Sequence, residues 1–351
     1  MVNVGIIGCG YWGAKHVRIF NTLPDARLTI VCDQDKEKLN QVREQYPYVA
    51  RTSDYRDLFS DSVDALVIAT PVSTHYNFAR EALLHGKHVL AEKPLTASNK
   101  EAVELVKLAK KQNRVLMVGH TFIYHPAVDY LRQLIQSGEL GEILYIDTAR
   151  LNLGLIRPDV NVIWDLAPHD ISIILYILDK EPISVRASGA AHFDPTVHDV
   201  AYLELKFDKE VLAHVHVSWL DPCKVRRVTI VGSRKMAVYN DISDSEKIRI
   251  YDKGINIPTD NDNFAGWPPR YRFGDVLIPF ISNAEPLKME GSEFVRCVIE
   301  GKNPKSDGWA GLRVVNILET AQRSLMNGGG HQKLRTLLPD SVPVSATPGG
   351  R

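Results

Sequence analysis

The sequence predicts an α/β protein in which a doubly wound parallel sheet is followed by an α+β domain with a large, mainly antiparallel open sheet. In the first 120 residues, short apolar runs alternate with helix-like segments, as expected for parallel strands buried on both faces. A glycine-rich turn follows the first of these runs directly. From about residue 183 the helical spacing gives way to alternating segments joined by short polar turns, which is typical of hairpins.

The first half alternates strands and helices without interruption. Predicted strands occupy Val2–Ile7, Leu28–Cys32, Val49–Thr52, Ala65–Ala69, Val89–Ala91 and Val115–Val118. Predicted helices lie between them, at Ala14–Phe20, Lys36–Gln45, Tyr55–Phe59, Ser73–Leu84 and Ser98–Lys111. This alternation predicts a parallel sheet with helices on both faces.

A glycine-rich turn joins the first strand to the first helix. Its pattern is GxGxxG, formed by Gly8, Gly10, Tyr11, Trp12 and Gly13 around Cys9. The first glycine permits a tight turn, the second lets backbone approach a pyrophosphate, and the third lets helix and strand pack closely. The helix amino terminus offers free N–H groups to the phosphates. We therefore expect a Rossmann domain that binds a dinucleotide at this turn.

An acidic residue ends the second predicted strand, 25 residues after the first glycine. Asp33 is thus near the offset of about 20 residues expected for the acid that hydrogen-bonds a ribose 2′-hydroxyl. Gln34 and Asp35 follow it, so a 2′-phosphate would meet two carboxylates. The sequence therefore favours NAD over NADP. The alternative is that Asp33 caps the next helix.

The loop after the fourth strand contains further candidates. Thr70 and Pro71 follow that strand, and His75 lies in the first turn of the next helix. Ligands of open α/β sheets bind outside the carboxyl ends of the strands. These three residues are therefore candidate cofactor-binding residues, with an ordinary helix-start role as the alternative for His75.

The fifth strand ends in a charged pair, Glu92 and Lys93, followed by Pro94. The proline biases Lys93 to an extended backbone, so the next helix cannot begin at the lysine. Lys93 is therefore placed to point into the crevice at the sheet edge, and both residues are candidate cofactor contacts. The alternative is a solvated ion pair.

The second half changes from helical spacing to hairpins. A helix is predicted over Pro126–Ser137, a strand over Ile143–Leu151, and a helix that has Pro168 in its first turn and runs through Leu178. Strands follow at Ile183–Ser188, Val200–Phe207, Val211–Trp219, Val225–Val231, Met236–Tyr239 and Ile248–Tyr251, and helices at Leu287–Glu300 and Trp309–Met326. We expect domains over 1–122 and 123–330 and a mobile tail over 331–351.

Asp165 and His169 lie four residues apart at the start of one predicted helix. They should share a face of it. A carboxylate beside a histidine can orient the ring and raise its basicity. The alternative is a helix-capping aspartate and an incidental histidine.

Composition narrows the function classes. The formal net charge is zero and the pI is near 7.2, which argues against a nucleic-acid or anionic-membrane partner. The start of the chain lacks the features of a signal peptide, and four scattered cysteines show no metal spacing, so we expect a cytoplasmic protein with reduced thiols.

His214 and His216 lie two positions apart and so share one face of a predicted strand. No third ligand has the spacing of a metal site, so no metal is expected.

Four motifs together resemble the Gfo/Idh/MocA family of nicotinamide-dependent oxidoreductases. They are the turn Gly8–Gly13, Thr70-Pro71 with His75, Ala91-Glu92-Lys93-Pro94, and Asp165-x-x-x-His169, in this order. The resemblance implies an NAD-binding Rossmann domain and a second domain whose open sheet has substrate contacts on one face and subunit contacts on the other. It implies that Lys93, Asp165 and His169 are catalytic, and that the chain forms a homodimer or homotetramer. Ile123 departs from the pattern, since a basic residue is typical near that position.

The resemblance implies hydride transfer at a secondary alcohol. His169 would take the hydroxyl proton, Lys93 would stabilise the developing alkoxide, and Asp165 would orient His169 or balance Lys93. Lys93 and His169 could exchange these roles. The alternatives are a dehydrogenase of a free polyol such as inositol, an NAD-dependent glycosidase, and a non-catalytic NAD-binding regulator. The presence of Lys93, Asp165 and His169 argues against the regulator.

The expected substrate is a sugar or nucleotide sugar, above all a UDP-N-acetylhexosamine or its uronic acid oxidised at the 3-hydroxyl. The stretches 150–157, 161–165 and 218–222 look like members of sugar-nucleotide pathways. Lys93, Arg150, Asp165 and His169 are the predicted substrate-binding residues. Further arginines in or beside predicted loops could bind two phosphates, and two aromatic residues could stack on a base or sugar: Arg157, Arg226, Arg227, Arg270, Arg272, Trp267 and Tyr271. The alternative is surface charge and a packed lid or subunit contact.

Overall fold

The structure is a computed structural model that describes residues 1–154, 156–157, 159–256 and 270–337. It divides into two compact units. The first contains Met1–His120, Glu290–Asn316 and the described residues from Arg335 onward. The second contains Thr121–Met289 and Ile317–Leu334. This differs from the continuous division expected from the sequence, because part of each closing helix packs with the first unit.

The first unit is built on a six-stranded parallel sheet. Its strands are β1 (Val2–Ile7), β2 (Ala26–Cys32), β3 (Ala50–Thr52), β4 (Ala65–Ile68), β5 (His88–Glu92) and β6 (Leu116–Gly119). Its first helices are α1 (Tyr11–Phe20), α2 (Lys36–Gln45), α3 (Val72–Leu84) and α4 (Asn99–Gln112), with a 3₁₀ turn at Tyr55–Phe59. The strand order β3-β2-β1-β4-β5-β6 reverses between β1 and β4, which is where such sheets bind ligands.

Burial explains why these runs form central strands. All four residues of β4 are buried, and so are four of the five residues of β5. A strand flanked by helices on both faces has no solvent-facing side, so its sequence is continuously apolar. The polar residues that follow β4 and β5 therefore lie at the carboxyl edge of the sheet.

The second unit is built on a nine-stranded sheet. In chain order its elements are α5 (Pro126–Gln136), β7 (Ile143–Leu151), α6 (Val162–Leu178), β8 (Ser184–Ala190), β9 (Val200–Lys206), β10 (Leu212–Ser218), β11 (Val225–Gly232), β12 (Met236–Asn240), β13 (Ile248–Asn256), β14 (Arg270–Leu277) and β15 (Gln332–Lys333). Two helices, α7 (Pro286–Glu300) and α8 (Gly308–Met326), are each divided between the two units. The sheet order is β14-β13-β12-β11-β7-β10-β9-β8-β15. Among the described strands of this nine-stranded sheet, only the β7–β10 pair is parallel, which confirms the mainly antiparallel sheet.

Helix α6 begins earlier than the sequence predicts. Asn161 caps it, since its side-chain oxygen accepts from the amides of Ile163 (3.1 Å) and Trp164 (3.3 Å). Pro168 therefore lies inside the helix rather than in its first turn. The predicted start of the helix is based on the position of the proline. The side chain of Asn161, which accepts hydrogen bonds from two backbone amides, is the stronger signal for a helix start.

Two strands differ from the sequence prediction. Arg270–Leu277 forms β14 against β13, where the sequence predicts a loop. Gln332–Lys333 pairs with Val185 and Ser184, inside the segment predicted as a mobile tail. Both are strands at the ends of the sheet, and β14 is exposed along almost its whole length. Without a buried face, such strands leave no alternating pattern in the sequence.

Among the described residues, no helix combines the length and the apolar character needed to cross a membrane.

Candidate active site

The glycine-rich turn has the shape of a dinucleotide cradle. Gly8 adopts φ +93°, and a Cβ there would lie 2.6 Å from the carbonyl oxygen of Ala69. A Cβ on Gly13 would overlap the carbonyl oxygen of Gly8. A Cβ on Gly10, in contrast, would have no neighbouring atom within 4 Å. Two glycines are thus required by close packing, and the middle one leaves open space where a pyrophosphate can approach the start of α1.

Tyr11 and Trp12 form the first turn of α1. Their rings meet edge to face at 5.7 Å, and the Nζ of Lys15 lies 4.1 Å and 4.4 Å from the two ring centroids. Tyr11 is largely exposed, with 75% of its surface accessible. This places a positive charge over aromatic faces at the helix end that would receive phosphates.

Asp33 is joined to the glycine turn by a hydrogen bond. Its Oδ2 accepts from the amide of Cys9 at 2.6 Å, and its Oδ1 accepts from the amide of Asp35 at 2.9 Å. The cap of α2 is Asp35, which accepts from the amide of Glu37. The alternative that Asp33 caps that helix is therefore wrong. Its position after β2 and next to the turn suits the acid that binds a ribose hydroxyl.

His75 connects two loops at the carboxyl edge of the sheet. Its ring is buried, with Nδ1 2.9 Å from the carbonyl oxygen of Pro94 and Nε2 2.8 Å from that of Thr70. Thr70 and Thr74 share a further hydrogen bond of 2.7 Å, and Pro71 is the residue before α3. His75 thus joins the loop after β4 to the loop after β5, and its role as a direct cofactor contact stays a prediction.

Glu92 and Lys93 end β5, and Glu92 is buried rather than solvated. Its Oε1 lies 2.9 Å from Nε2 of His16 on α1, and its Oε2 accepts from the Lys93 amide at 3.2 Å. Burial alone raises the pKa of Glu92, but the hydrogen bond and charge of His16 and the charge of Lys93 outweigh it, so the pKa is lowered. The alternative of a solvated Glu-Lys pair is wrong for Glu92.

His120 follows β6 and lies near the same motif. It is buried, and within the described part of the chain neither ring nitrogen has a hydrogen-bond partner. Burial first and the charge of Lys93 second lower its pKa to about 4, while Glu92 opposes the shift. His120 is thus a neutral imidazole with one donor and one acceptor to offer.

Asp165 and His169 lie on the first half of α6 in the second unit. Asp165 Oδ2 accepts from the indole N–H of Trp219 at 3.0 Å, and Oδ1 lies 3.6 Å from the guanidinium of Arg157. His169 is buried, and its ring meets the ring of Phe122 edge to face at 4.8 Å. Asp165 does not cap the helix, so that alternative is wrong. The carboxylate instead has an indole and a guanidinium that hold its orientation.

Arg150 is buried and paired with a carboxylate in the second unit. It is 5% exposed, and its Nε and one terminal nitrogen bind the two oxygens of Asp170 at 2.7 Å and 3.2 Å. Its guanidinium also covers the ring of Phe122 at 4.5 Å. Two of its five N–H donors are thus bonded to a buried carboxylate one residue after His169, and its role as a substrate contact stays a prediction.

Four of the other five arginines proposed for phosphates are also paired within the second unit. Their partners are Asp159 and Asp165 for Arg157, Asp241 for Arg226, Asp147 for Arg227 and Asp252 for Arg272. Arg270 and Tyr271 are exposed on β14 rather than in a loop. Trp267 and the rest of the 266–269 stretch lie outside the described residues.

His214 and His216 point to the same face of β10. His214 Nδ1 lies 2.9 Å from Asp147 Oδ1, and both rings stack on Tyr202, at 5.9 Å and 4.3 Å between centroids. Across residues 1–154, 156–157, 159–256 and 270–337, no group of three or more His, Cys, Asp or Glu side chains is placed to hold a metal ion.

Two family profiles match the chain. The "Oxidoreductase family, NAD-binding Rossmann fold" profile covers residues 2–120, and the "GFO/IDH/MocA C-terminal domain" profile covers residues 128–238. An uncharacterized oxidoreductase, YdgJ of Escherichia coli, is 31% identical over 251 residues, which are 66% of this chain and 69% of the relative. The chain belongs to the Gfo/Idh/MocA oxidoreductase family. As a member it is an NAD-binding oxidoreductase of sugars or polyols.

Two further Gfo/Idh/MocA members carry informative names. UDP-N-acetylglucosamine 3-dehydrogenase of Acidithiobacillus ferrooxidans is 28% identical over 315 residues, covering 90% of this chain and 94% of the relative. A solved structure of that enzyme matches 93% of this chain and 98% of its own with a TM-score of 0.77, at 26% identity. Inositol 2-dehydrogenase 2 of Saccharopolyspora erythraea is 30% identical over 226 residues, covering 62% of this chain and 66% of the relative.

Sequence reasoning missed two histidines of the first unit. His16 lies on α1, three residues after the last glycine of the turn, and His120 follows β6 directly. A histidine on the buried side of a helix is more often packed in a core than functional, so His16 did not stand out. The position of His120 at a strand's carboxyl end was the available signal.

Proposed function

We propose that this chain oxidises a secondary hydroxyl of a nucleotide-linked sugar, the 3-hydroxyl of a UDP-N-acetylhexosamine or its uronic acid. The observation that carries the proposal is the match over 94% of the length of a UDP-N-acetylglucosamine 3-dehydrogenase. It extends through both the NAD-binding domain and the substrate domain. A shared second domain matters because it is the one expected to bind the sugar.

The cofactor fits the residues of the first unit. The open space beside Gly10 admits a pyrophosphate, the start of α1 offers its free N–H groups, and Asp33 offers a carboxylate to the ribose. NAD, when bound, supplies the hydride acceptor. The carboxylate of Asp33 would repel a 2′-phosphate and so excludes NADP by charge.

The protein's own groups manage the proton and the charge. His169 accepts the proton of the substrate hydroxyl while the hydrogen on the same carbon leaves with its electron pair. Lys93 holds the oxygen as alkoxide character develops. Asp165, fixed by Trp219 and Arg157, balances the charge next to His169. Proton transfer of this kind contributes about 10²- to 10⁴-fold to the rate.

A free polyol such as inositol is the second candidate. Inositol 2-dehydrogenase 2 is slightly more identical to this chain, 30% against 28%, although the match covers only 66% of it. The buried ion pair with Asp170 also occupies two donors of Arg150, one of the predicted phosphate contacts. These observations favour testing free polyols alongside nucleotide sugars.

The test is a comparison of NAD reduction rates. Purified protein is mixed with NAD and, separately, UDP-N-acetylglucosamine, its uronic acid, free N-acetylglucosamine and myo-inositol, and NADH absorbance is followed. The proposal expects the highest kcat/KM with a nucleotide sugar. Faster turnover of the free sugar or of inositol would contradict the proposal that the substrate is a nucleotide sugar. The assignment as a sugar or polyol oxidoreductase would remain.

A further inference from the structure

Three groups in the first unit form a continuous series of hydrogen bonds from α1 to Lys93, the lysine proposed to hold the alkoxide. His16 lies 2.9 Å from one oxygen of Glu92, and the other oxygen accepts from the backbone amide of Lys93 at 3.2 Å. His16 and Glu92 are only 1% and 7% exposed. This series of hydrogen bonds starts at His16 on α1, the helix whose amino end would bind the dinucleotide phosphates.

The donors and acceptors along this chain are fixed by charge. The pKa of Glu92 is lowered, by the His16 hydrogen bond and charge and by Lys93, against the opposing effect of burial. An ionised carboxylate only accepts hydrogen bonds. The ring must therefore donate its Nε2–H to Glu92. Its Nδ1 is buried and has no hydrogen-bond partner in the described ranges, so this nitrogen does not draw the ring elsewhere.

The carboxylate has little room to move. A Cβ on Gly119 of β6 would lie 3.2 Å from Glu92 Oε2 and 3.3 Å from its carboxyl carbon. The strand next to β5 thus packs against the carboxylate on one side, while His16 holds it on the other. The carboxylate that contacts the Lys93 amide is thus bounded by Gly119 and held by His16.

We propose that His16 and Glu92 are positioning residues that fix the backbone at Lys93 and so aim its side chain at the reacting oxygen. The proposal deepens the proposed function, because it rests on Lys93 as the group that holds the alkoxide. A misplacement of about 1 Å can cost about 10²-fold in rate. Losing either member of the chain releases the Lys93 amide and broadens the positions that the ammonium samples.

The experiment compares three variants with the wild-type protein. Glu92→Gln keeps the shape but replaces the ionised acceptor with a neutral amide, which weakens the hydrogen bond from the Lys93 amide. His16→Leu removes the ring donor, and His16→Gln restores a donor, since its side-chain amide carries N–H groups at a similar reach. We expect kcat to fall about 10- to 100-fold in Glu92→Gln and His16→Leu. We expect His16→Gln to recover to within about threefold of wild type, with NAD affinity within about threefold throughout.

A matched control is available on the surface of the same unit. Glu104 pairs with Arg80 at 3.0 Å, and both side chains are close to half exposed. Glu104→Gln removes the same charge with the same change of shape. It should leave kcat and NAD affinity unchanged, because an exposed pair fixes no backbone near the lysine.

Hydrogen exchange of the Lys93 amide gives a readout that needs no substrate. The bond to Glu92 should protect this amide, and Glu92→Gln and His16→Leu should make it exchange about tenfold faster or more, with Glu104→Gln unchanged. If wild type turns over no sugar but the amide responds this way, the proposed function fails and the positioning chain stands. If Glu92→Gln keeps wild-type kcat or wild-type exchange, or if His16→Gln is as impaired as His16→Leu, the positioning proposal is overturned.

Discussion

The buried ion pair of Arg150 and Asp170 gives a stability prediction that separates structural from substrate-binding roles. Arg150→Met keeps much of the stem and removes the charge, leaving the carboxylate of Asp170 buried without its partner. That carboxylate is 1% exposed and receives two hydrogen bonds from the arginine, at 2.7 Å and 3.2 Å. Loss of both donors at a buried position should cost much more than loss of a surface charge.

The magnitude follows from burial. Removing one partner of a buried pair costs about 3–5 kcal/mol, because the remaining charge stays desolvated. The matched control is Arg186→Met, since Arg186 pairs with Glu204 at 2.9 Å while its own side chain is 51% exposed. An exposed pair is worth about 0–1 kcal/mol. The double substitution of Arg150→Met with Asp170→Leu should recover most of the loss, because no buried charge remains.

The assay is thermal and urea unfolding of the four proteins, followed by circular dichroism. For a unit of this size, 1 kcal/mol shifts the Tm by about 2–4 °C. Arg150→Met should therefore melt clearly below the Arg186→Met control. If Arg150→Met were as stable as wild type and lost affinity only for charged substrates, the interpretation of Arg150 as a buried structural residue would be refuted and the phosphate-binding prediction restored.

Three further outcomes are expected. Asp33→Ala should narrow the preference for NAD over NADP in binding titrations, and a wild-type preference for NADP would remove the role of Asp33. Lys93→Met should keep the fold and NAD affinity but lower turnover at least about 10²-fold. His169→Ala should lower turnover similarly and change the pH profile of turnover. Normal turnover in both variants would point to another site. Gly13→Ala should lose about 1–3 kcal/mol or more of stability, since its methyl would overlap a backbone oxygen. An unchanged Tm would contradict the close packing of the turn.

Much of the first unit could be predicted because its strands are buried on both faces. A continuous apolar run such as Ala65–Ile68 can only be a central strand or a core helix segment, and its length decides. The glycine turn was equally readable, since its residue types follow from steric contacts within the turn. The regular alternation then predicted a parallel sheet with helices on both faces and the edge where the candidate residues lie.

The parts that were missed depend on contacts between distant positions. Nothing local in the sequence says that Arg150 on β7 faces Asp170 on α6, so an arginine near a loop was interpreted as a phosphate contact. The same holds for His16 and Glu92, which are 76 residues apart. The exposed strand β14 gave no signal because it buries no face. Sequence patterns indicate which residues are buried, but which side chains pair with each other depends on the fold.

The most direct test of the account follows the hydrogen itself. UDP-N-acetylglucosamine carrying deuterium on the carbon of the 3-hydroxyl is incubated with the protein and NAD, and the reduced cofactor is analysed by mass spectrometry. The account predicts that deuterium appears in NADH and that Lys93→Met abolishes its transfer on the same timescale. Formation of NADH without deuterium would contradict oxidation at that carbon, and transfer at the wild-type rate in Lys93→Met would contradict the role given to the lysine.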